Sequence, residues 1–465
     1  MSSSPRAPAS AAEAPRAGGW LYTSQAGSTS SKRRKLTPRV EDDCFPLDDE
    51  ALLRVFAASL DTADLVRCAA TCRRWHRLVT REAGFICGLN PPPPPSDGHL
   101  VRALAAGFFH HGHDDDEPGA PPRFLPFRSF HQPRAAVFDD PLFTNSRTIA
   151  SLNGRLVLEL RRPSRAAALR LVVCNPMSGD VSVLPTLSGK NKPGNYACAL
   201  LTADDDVRDA AVDPPRATGP ASFRMVLIYK RRGFMACRSY SSDASAWGPE
   251  CKVTGAKISS RRLGEMDAGG VAVRGAVYWL SDNLVFGLRV DTLRATLESL
   301  PRKARACMQY CLCLSVPAPK RRLAVSPDGR LCAVQVGRRD DDRFAINVLR
   351  RDDRKARRRW AWVKAHDVDL EPWLPPAGDE GRRACLRAVC EKSGVVFFAT
   401  GADKYGQLPD LALYAVDLET KEVRLVPAPP GRCCVRRSSW SFHAYEMDRV
   451  AYLTSLGVGE RDDPM

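Results

Sequence analysis

Between residues 44 and 87 apolar residues recur at helical spacing. Leu52, Leu53, Phe56 and Leu60 mark one face, and Leu65, Cys68, Cys72, Trp75 and Val79 follow at steps of three and four. Asp48 or Asp49, just after Pro46, can cap the first helix, and Asp61-Thr62 offers a second cap with Asp64 in the next turn. The pattern predicts two or three short amphipathic helices, with Arg73, Arg74, His76 and Arg77 near the C-terminal end of the last, where cations suit the helix dipole. So small a unit cannot build a generous core, and its surplus of large apolar residues predicts that part of the face is buried against a partner.

From about residue 122 the pattern becomes short apolar runs separated by turns. Arg155 to Leu160, Leu169 to Cys174, Phe223 to Tyr229, Leu331 to Val336, Phe344 to Leu349 and Leu411 to Leu418 read as strands. Asn175-Pro176-Met177-Ser178-Gly179-Asp180 reads as a tight turn, and Val271 to Leu280 as a hairpin. Gly154, Gly275, Gly329 and Gly394 mark the same place in several units that repeat every 50–65 residues or so, a period suited to blades of about four strands. Such a unit cannot bury both faces alone, whereas radial stacking can. The expected fold is therefore multidomain: a small all-α module followed by an all-β propeller of about six blades over residues 122–457.

The remaining segments are of lower complexity. Residues 1–40 form a Ser/Ala/Pro/Gly-rich tail expected to be disordered, in which Lys32, Arg33, Arg34 and Lys35 make a basic cluster that suits a nuclear-import signal or a merely solvated run. Residues 88–121 read as a linker: 91–95 are five prolines, a stiff polyproline rod. Leu100 to Phe109 is a short helical candidate there, and His110 to Glu117 is a His/Asp-rich loop.

The 69 basic and 53 acidic residues give +16, but they are interspersed along the chain, so a solvated mixed-charge surface is expected rather than a nucleic-acid footprint. No apolar stretch is long enough to span a membrane, and the N-terminus lacks the apolar core of a secretory leader. The 16 cysteines, with no Cys-x-x-Cys among them, are read as reduced thiols without a zinc site. No Gly-x-Ser-x-Gly, phosphate-binding loop, dinucleotide fingerprint or His-Glu-x-x-His occurs. His443 is read as a core or surface histidine rather than a base. The expectation is a chain without catalytic residues, metal or cofactor.

Phe45-Pro46-Leu47-Asp48-Asp49 through Leu52-Leu53, then Leu60, Asp64-Leu65, Cys72-Arg73-Arg74-Trp75 and Leu78, resembles an F-box at residues 44–87. The family pattern opens with Leu-Pro and ends with Val-Cys-x-x-Trp. Here Phe45 replaces the leucine and Thr71 the valine, and the lost apolar character at Thr71 lowers the expected adaptor affinity. The resemblance implies that Pro46, Leu53, Leu60, Leu65, Cys72 and Trp75 contribute to a docking surface for a Skp-type adaptor, and through it a cullin. Trp75 also suits a place in the module's own core. Asn175 to Gly179, Gly275 to Leu280, Asp328 to Cys332, Asp417 to Lys421 and Tyr445 to Asp448 are similar to the propeller-type domain that follows F-boxes in plant, especially grass, proteins.

Together these resemblances imply a substrate-recognition subunit of an SCF-type cullin–RING ubiquitin ligase, acting in the nucleus or cytoplasm by bringing an unknown protein substrate close to the conjugating enzyme. The alternative is a nuclear protein- or nucleic-acid-binding propeller scaffold outside ubiquitination. The basic run Arg350, Arg351, Arg354, Lys355, Arg357, Arg358 and Arg359 could read an acidic or phosphorylated segment, or be a solvated loop.

Overall fold

The computed structural model describes residues 47–60, 62–89, 105–111, 121–126, 138–152, 154–160, 168–202, 222–266, 269–301, 321–326, 329–338, 341, 343–352, 362–374, 382–390, 394–402, 412–418, 420–426 and 441–459. Pro46, the cluster Lys32, Arg33, Arg34 and Lys35, the prolines at 91–95, and Arg354, Lys355, Arg357, Arg358 and Arg359 lie outside these residues.

Four helices come first: α1 (Asp49–Ser59), α2 (Thr62–Ala69), α3 (Arg73–Arg81) and α4 (Ala83–Leu89). Asp48 caps α1, its Oδ1 accepting from the Ala51 N–H at 2.7 Å. The single apolar stack expected from Leu65 to Val79 is broken at residues 70–72, where Cys72 becomes the N-cap of α3 and its Sγ accepts from the Trp75 N–H at 3.4 Å. Arg73 and Arg74 consequently open a helix instead of ending one. The unfavourable position is offset at Arg74, which donates to Asp49 Oδ1 (2.8 Å) and to the Leu47 carbonyl (2.7 Å).

The strands follow. β1 (Ala105–His111) and β2 (Arg123–Pro126) pair first. Next come β3 (Ser146–Leu152), β4 (Arg155–Leu160), the short β5 (Ala168–Leu169), β6 (Leu171–Asn175), β7 (Asp180–Val183) and the short β8 (Leu187–Ser188). Of these, β3-β4-β6-β7 form an antiparallel sheet and β5 pairs with β8. β9 (Tyr196–Thr202), β10 (Phe223–Lys230), β11 (Met235–Ser241), β12 (Ala246–Trp247) and β13 (Cys251–Gly255) make a second meander, followed by the short α5 (Ser260–Gly264). A third is β14 (Val271–Val273), β15 (Ala276–Ser281), β16 (Leu284–Arg289) and β17 (Arg294–Ser299), joined to the second by a parallel β13–β17 contact.

Two further four-stranded meanders are β18 (Arg321–Val325), β19 (Leu331–Arg338), β20 (Phe344–Arg351) and β21 (Trp362–Asp369), then β22 (Arg382–Val389), β23 (Val395–Ala402), β24 (Ala412–Asp417) and β25 (Val423–Leu425). β26 (Ser441–Glu446) returns to pair with β1, giving the sheet β2-β1-β26, and α6 (Arg449–Ser455) with a 3-10 turn at Leu456–Gly459 ends the described chain.

The first strands of the meanders begin at residues 146, 196, 271, 321 and 382, and β26 at 441. They neighbour one another in a closed circuit: β3 lies beside β9, β9 beside β14, β14 beside β18, β18 beside β22, β22 beside β26 and β26 beside β3. The cores lie between adjacent sheets. Along β4, Leu156, Leu158 and Leu160 pack towards the β1–β26 sheet while Val157 packs towards the β9–β13 meander. Along β23, Val395, Phe397 and Ala399 face one neighbour, and Val396 and Phe398 the other. Strands buried on both faces explain the near-continuous apolar runs, since alternate side chains enter two different cores. The β domain is thus propeller-like, following a small helical region.

The four marker glycines occupy the same hairpin, between the first and second strands of a meander, each with φ near 70°. At Gly154 the requirement is also spatial: an added Cβ would lie 2.6 Å from the Asp448 amide nitrogen.

Two readings of the sequence are corrected. Residues 105–111, within the segment read as helix and linker, are a strand that holds β26 in place, so the β domain takes in residues before 122. His110, read as part of a loop, is buried there beside Phe108 and Phe442. At the other end, residues 449–459 leave the sheets and join the helical module.

Burial pushes the thiols of Cys174, Cys198 and Cys237 up to about 12. All three are expected to resist iodoacetamide at pH 8 in the folded protein and to react after denaturation. Rapid native labelling at any of them, read by peptide mass spectrometry, would contradict this packing.

Candidate functional site

The helical module closes on a core that a distant segment completes. Leu52 and Phe56 of α1, Leu65 and Ala69 of α2, Leu78 and Val79 of α3, and Ala83 and Ile86 of α4 close on one another. The core is completed by Leu453 of α6, fully buried, with Val450 and Leu456 packed against it. Two polar contacts fasten the same junction: Arg449 Nη2 donates to the Leu60 carbonyl at 3.1 Å, and His76 Nε2 lies 3.3 Å from the Leu456 carbonyl oxygen. Part of the apolar surplus seen in the sequence is therefore covered by the chain's own C-terminus. Asp448 ahead of Val450, Leu453 and Leu456 is a capped helical spacing that could have revealed α6.

The same C-terminal segment is anchored in the sheets. The buried Tyr445 donates from its hydroxyl to the Gly154 carbonyl (2.9 Å), the Gly154 N–H donates to the Glu446 carbonyl (2.7 Å), and Asp448 Oδ1 caps α6. Six residues of strand and a seven-residue helix thus tie the circuit of sheets to the helical module.

Elsewhere on the module, apolar surface remains open. Leu47 is 40% and Val55 46% exposed, while Leu53, Leu60, Cys72 and Trp75 are half-buried. Arg74 holds the Leu47 carbonyl, which brings that exposed side chain to the turn carrying Trp75. Trp75 stands edge-on to Phe56, ring centroids 5.4 Å apart, so one side of the indole seals the core and its remaining surface is available for contact. Leu65 differs from its expected role: it is fully enclosed by the helices and holds them together without presenting surface. Pro46 lies outside the described residues. Leu47 was named only within the resemblance, not as a docking residue, and Val55 not at all; their exposure is what marks them.

Asp48→Ala removes the cap of α1 and is expected to cost about 0.5–2 kcal/mol. Chemical denaturation followed by far-UV circular dichroism checks this, and an unchanged midpoint would contradict it.

Among the described residues, no three His, Cys, Asp or Glu side chains gather in a way that could hold a metal ion. His443 is half-buried in mid-strand, in register with Phe109. No described helix is long and apolar enough to cross a membrane. Of the basic run near residue 350, Arg351 is half-buried, its Nη2 2.7 Å from Glu298 Oε1 and its guanidinium above the Tyr278 ring.

Comparison with solved structures finds TolB from Acinetobacter baumannii, with a TM-score of 0.37 and 10% identity over 80% of this chain and 72% of that one. A putative 6-phosphogluconolactonase from Bacteroides uniformis gives a TM-score of 0.29 and 11% identity over 72% and 85%. The WD40 domain of SCAP from fission yeast gives 0.26 and 7% identity over 60% and 64%. The sheet order described above, and not these low scores, defines the fold. No curated protein matches the chain. Residues 127–341 match a family described as a domain of unknown function, DUF7595, and residues 49–83 match the F-box-like family. The chain carries an F-box-like domain at residues 49–83, followed by a mostly β, propeller-like domain.

Proposed function

We propose that this chain is the substrate-recognition subunit of an SCF-type cullin–RING ubiquitin ligase. The F-box-like helices dock a Skp-type adaptor, and the β domain, a six-bladed propeller of the kind found behind plant F-boxes, binds the substrate. The observation that carries the reading is the apolar surface that the helical module keeps around a core completed by α6: Leu47 and Val55 are exposed, and Leu53 and Trp75 are half-buried. An amphipathic helix unit with a few aliphatic and aromatic anchors is the form that fits an apolar groove.

In this reading the chain itself performs no bond chemistry. It raises the local concentration of substrate lysines near the charged conjugating enzyme. A firm link between the two domains serves that purpose, because a fixed span preserves effective concentration where a loose one dilutes it. Action in the nucleus or cytoplasm is part of the proposal, with Lys32, Arg33, Arg34 and Lys35 as the import signal. Affinity-purified protein from cells should carry a Skp-type adaptor and a cullin in stoichiometric amounts. Recovery of folded protein with neither would refute the reading.

A further inference from the structure

Cys237 on β11 and Cys251 on β13 stand directly opposite each other across antiparallel strands, next to the register pairs Ala236–Lys252 and Met235–Val253. Opposed residues in such a pair send their side chains to the same face of the sheet, with Cα atoms about 4.5 or 5.5 Å apart. Both separations fall within the range of about 4.4–6.8 Å that a disulfide spans. Among the described residues, no other two cysteines share a register position.

The two thiols differ in access. Cys237 is 4% exposed and belongs to the large core beneath the second meander, where burial keeps its thiol protonated. Cys251 is half-buried on the outer strand of that meander, and its thiol donates to the Pro249 carbonyl at 3.7 Å. An oxidant therefore meets Cys251 first, and Cys237 lies beside it as the resolving thiol. We propose that Cys237 and Cys251 form an oxidisable dithiol that a hydroperoxide converts into a cross-strand disulfide. The Cys251 sulfur attacks the peroxide, the O–O bond breaks, and a sulfenic acid forms as water or an alcohol is released. The Cys237 sulfur then attacks the sulfenic sulfur; the S–S bond forms, the S–O bond breaks, and the hydroxyl leaves as water with the Cys237 proton. Two electrons pass from the thiols to the peroxide.

The bond falls where it has most to hold. β13 pairs with β11 at only three register positions, yet its far end bridges to the third meander: the Thr254 N–H donates to the Leu293 carbonyl at 3.0 Å and the Ala256 N–H to the Ala295 carbonyl at 3.1 Å. Just before Cys251, Glu250 accepts from the Tyr229 hydroxyl at 2.6 Å and from Arg231, which in turn holds the carbonyls of Lys190 and Lys192. A covalent tether at Cys251 fixes both the bridge and this network. In a reducing compartment such a bond is transient and redox-sensing. The dithiol stands whether or not the helices bind an adaptor.

The test treats the reduced full-length chain with hydrogen peroxide, alkylates it, digests it without reductant and reads linked peptides by mass spectrometry. The peptide joining Cys237 to Cys251 should form about tenfold more in the native chain than in urea, where no strand register holds the two together. Oxidation should raise the urea midpoint, reversibly with dithiothreitol, because the bond restricts the unfolded chain, and should slow exchange of the β13 amides. Cys251→Ser, a near-isosteric change at a half-buried position, should abolish both the linked peptide and the rise in midpoint. Absence of the linked peptide from oxidised native protein, an equal yield in urea, or the same rise in Cys251→Ser would overturn the proposal. So would a bridge from Cys251 to any other cysteine that exceeds the one to Cys237.

Discussion

Leu453→Ala is expected to destabilise the helical module by about 2–5 kcal/mol, the usual cost of emptying a fully buried leucine site, although the residue lies more than 360 positions after α4. The cost falls on the helices because Leu453 completes their core with Leu52, Phe56, Leu65 and Ile86. A chain ending at Asp448 should lose more, since it also removes the Arg449 bond to the Leu60 carbonyl and the packing of Val450 and Leu456. Hydrogen exchange separates the domains: amides of α1–α4 should exchange much faster in both variants, while those of β10, β15 and β19 keep their protection. Unchanged protection of α1–α4 in the truncated chain would show that the helices stand without the C-terminal helix.

Trp279→Ala is expected to cost about 3–5 kcal/mol and to loosen the contact between the second and third meanders. The indole is fully buried, and its Nε1 donates to the Cys198 carbonyl at 2.8 Å, a bond between residues 81 positions apart. Gly270 permits this approach, because an added Cβ would lie 2.6 Å from Nε1. Trp279→Phe should cost less: much of the ring remains, and the Cys198 carbonyl still accepts from the Gly270 N–H at 2.8 Å. Urea denaturation measures both. A loss below about 1 kcal/mol for Trp279→Ala would mean that the two meanders do not share a core.

Much of the β domain was legible because its signals are local. Runs such as Leu171 to Cys174 feed two cores with alternate side chains, and a first hairpin that needs φ near 70° recruits glycine at 154, 275, 329 and 394. What escaped depends on partners distant in sequence. Ala105–His111 carries no alternation of its own and becomes a strand because β26 pairs with it from more than 300 residues away. Arg449–Ser455 was assigned to the sheets because Tyr445 to Asp448 belongs there, and the chain changes allegiance only at the Asp448 cap.

The helical module shows the same division. The resemblance named Leu53, Leu60 and Trp75, which stay half-buried, but neither it nor helical spacing can tell an inner from an outer position on so small a unit. Leu65 therefore proved to be core, and Cys72 a helix cap. The helix break at residues 70–72 was hidden by a spacing that runs through it without a fault.

The most direct test of the whole account is a binding isotherm of a Skp-type adaptor on the purified full-length chain. Leu53→Ala/Trp75→Ala removes two half-buried anchors, and Leu47→Asp alters an exposed one that the helical core does not use; circular dichroism confirms that each variant is folded. The account predicts a one-to-one complex with wild type, weakened by about 2–4 kcal/mol per major anchor, roughly 30- to 1,000-fold, with the β domain unaffected. No complex with folded wild type, or equal affinity across the variants, would contradict it.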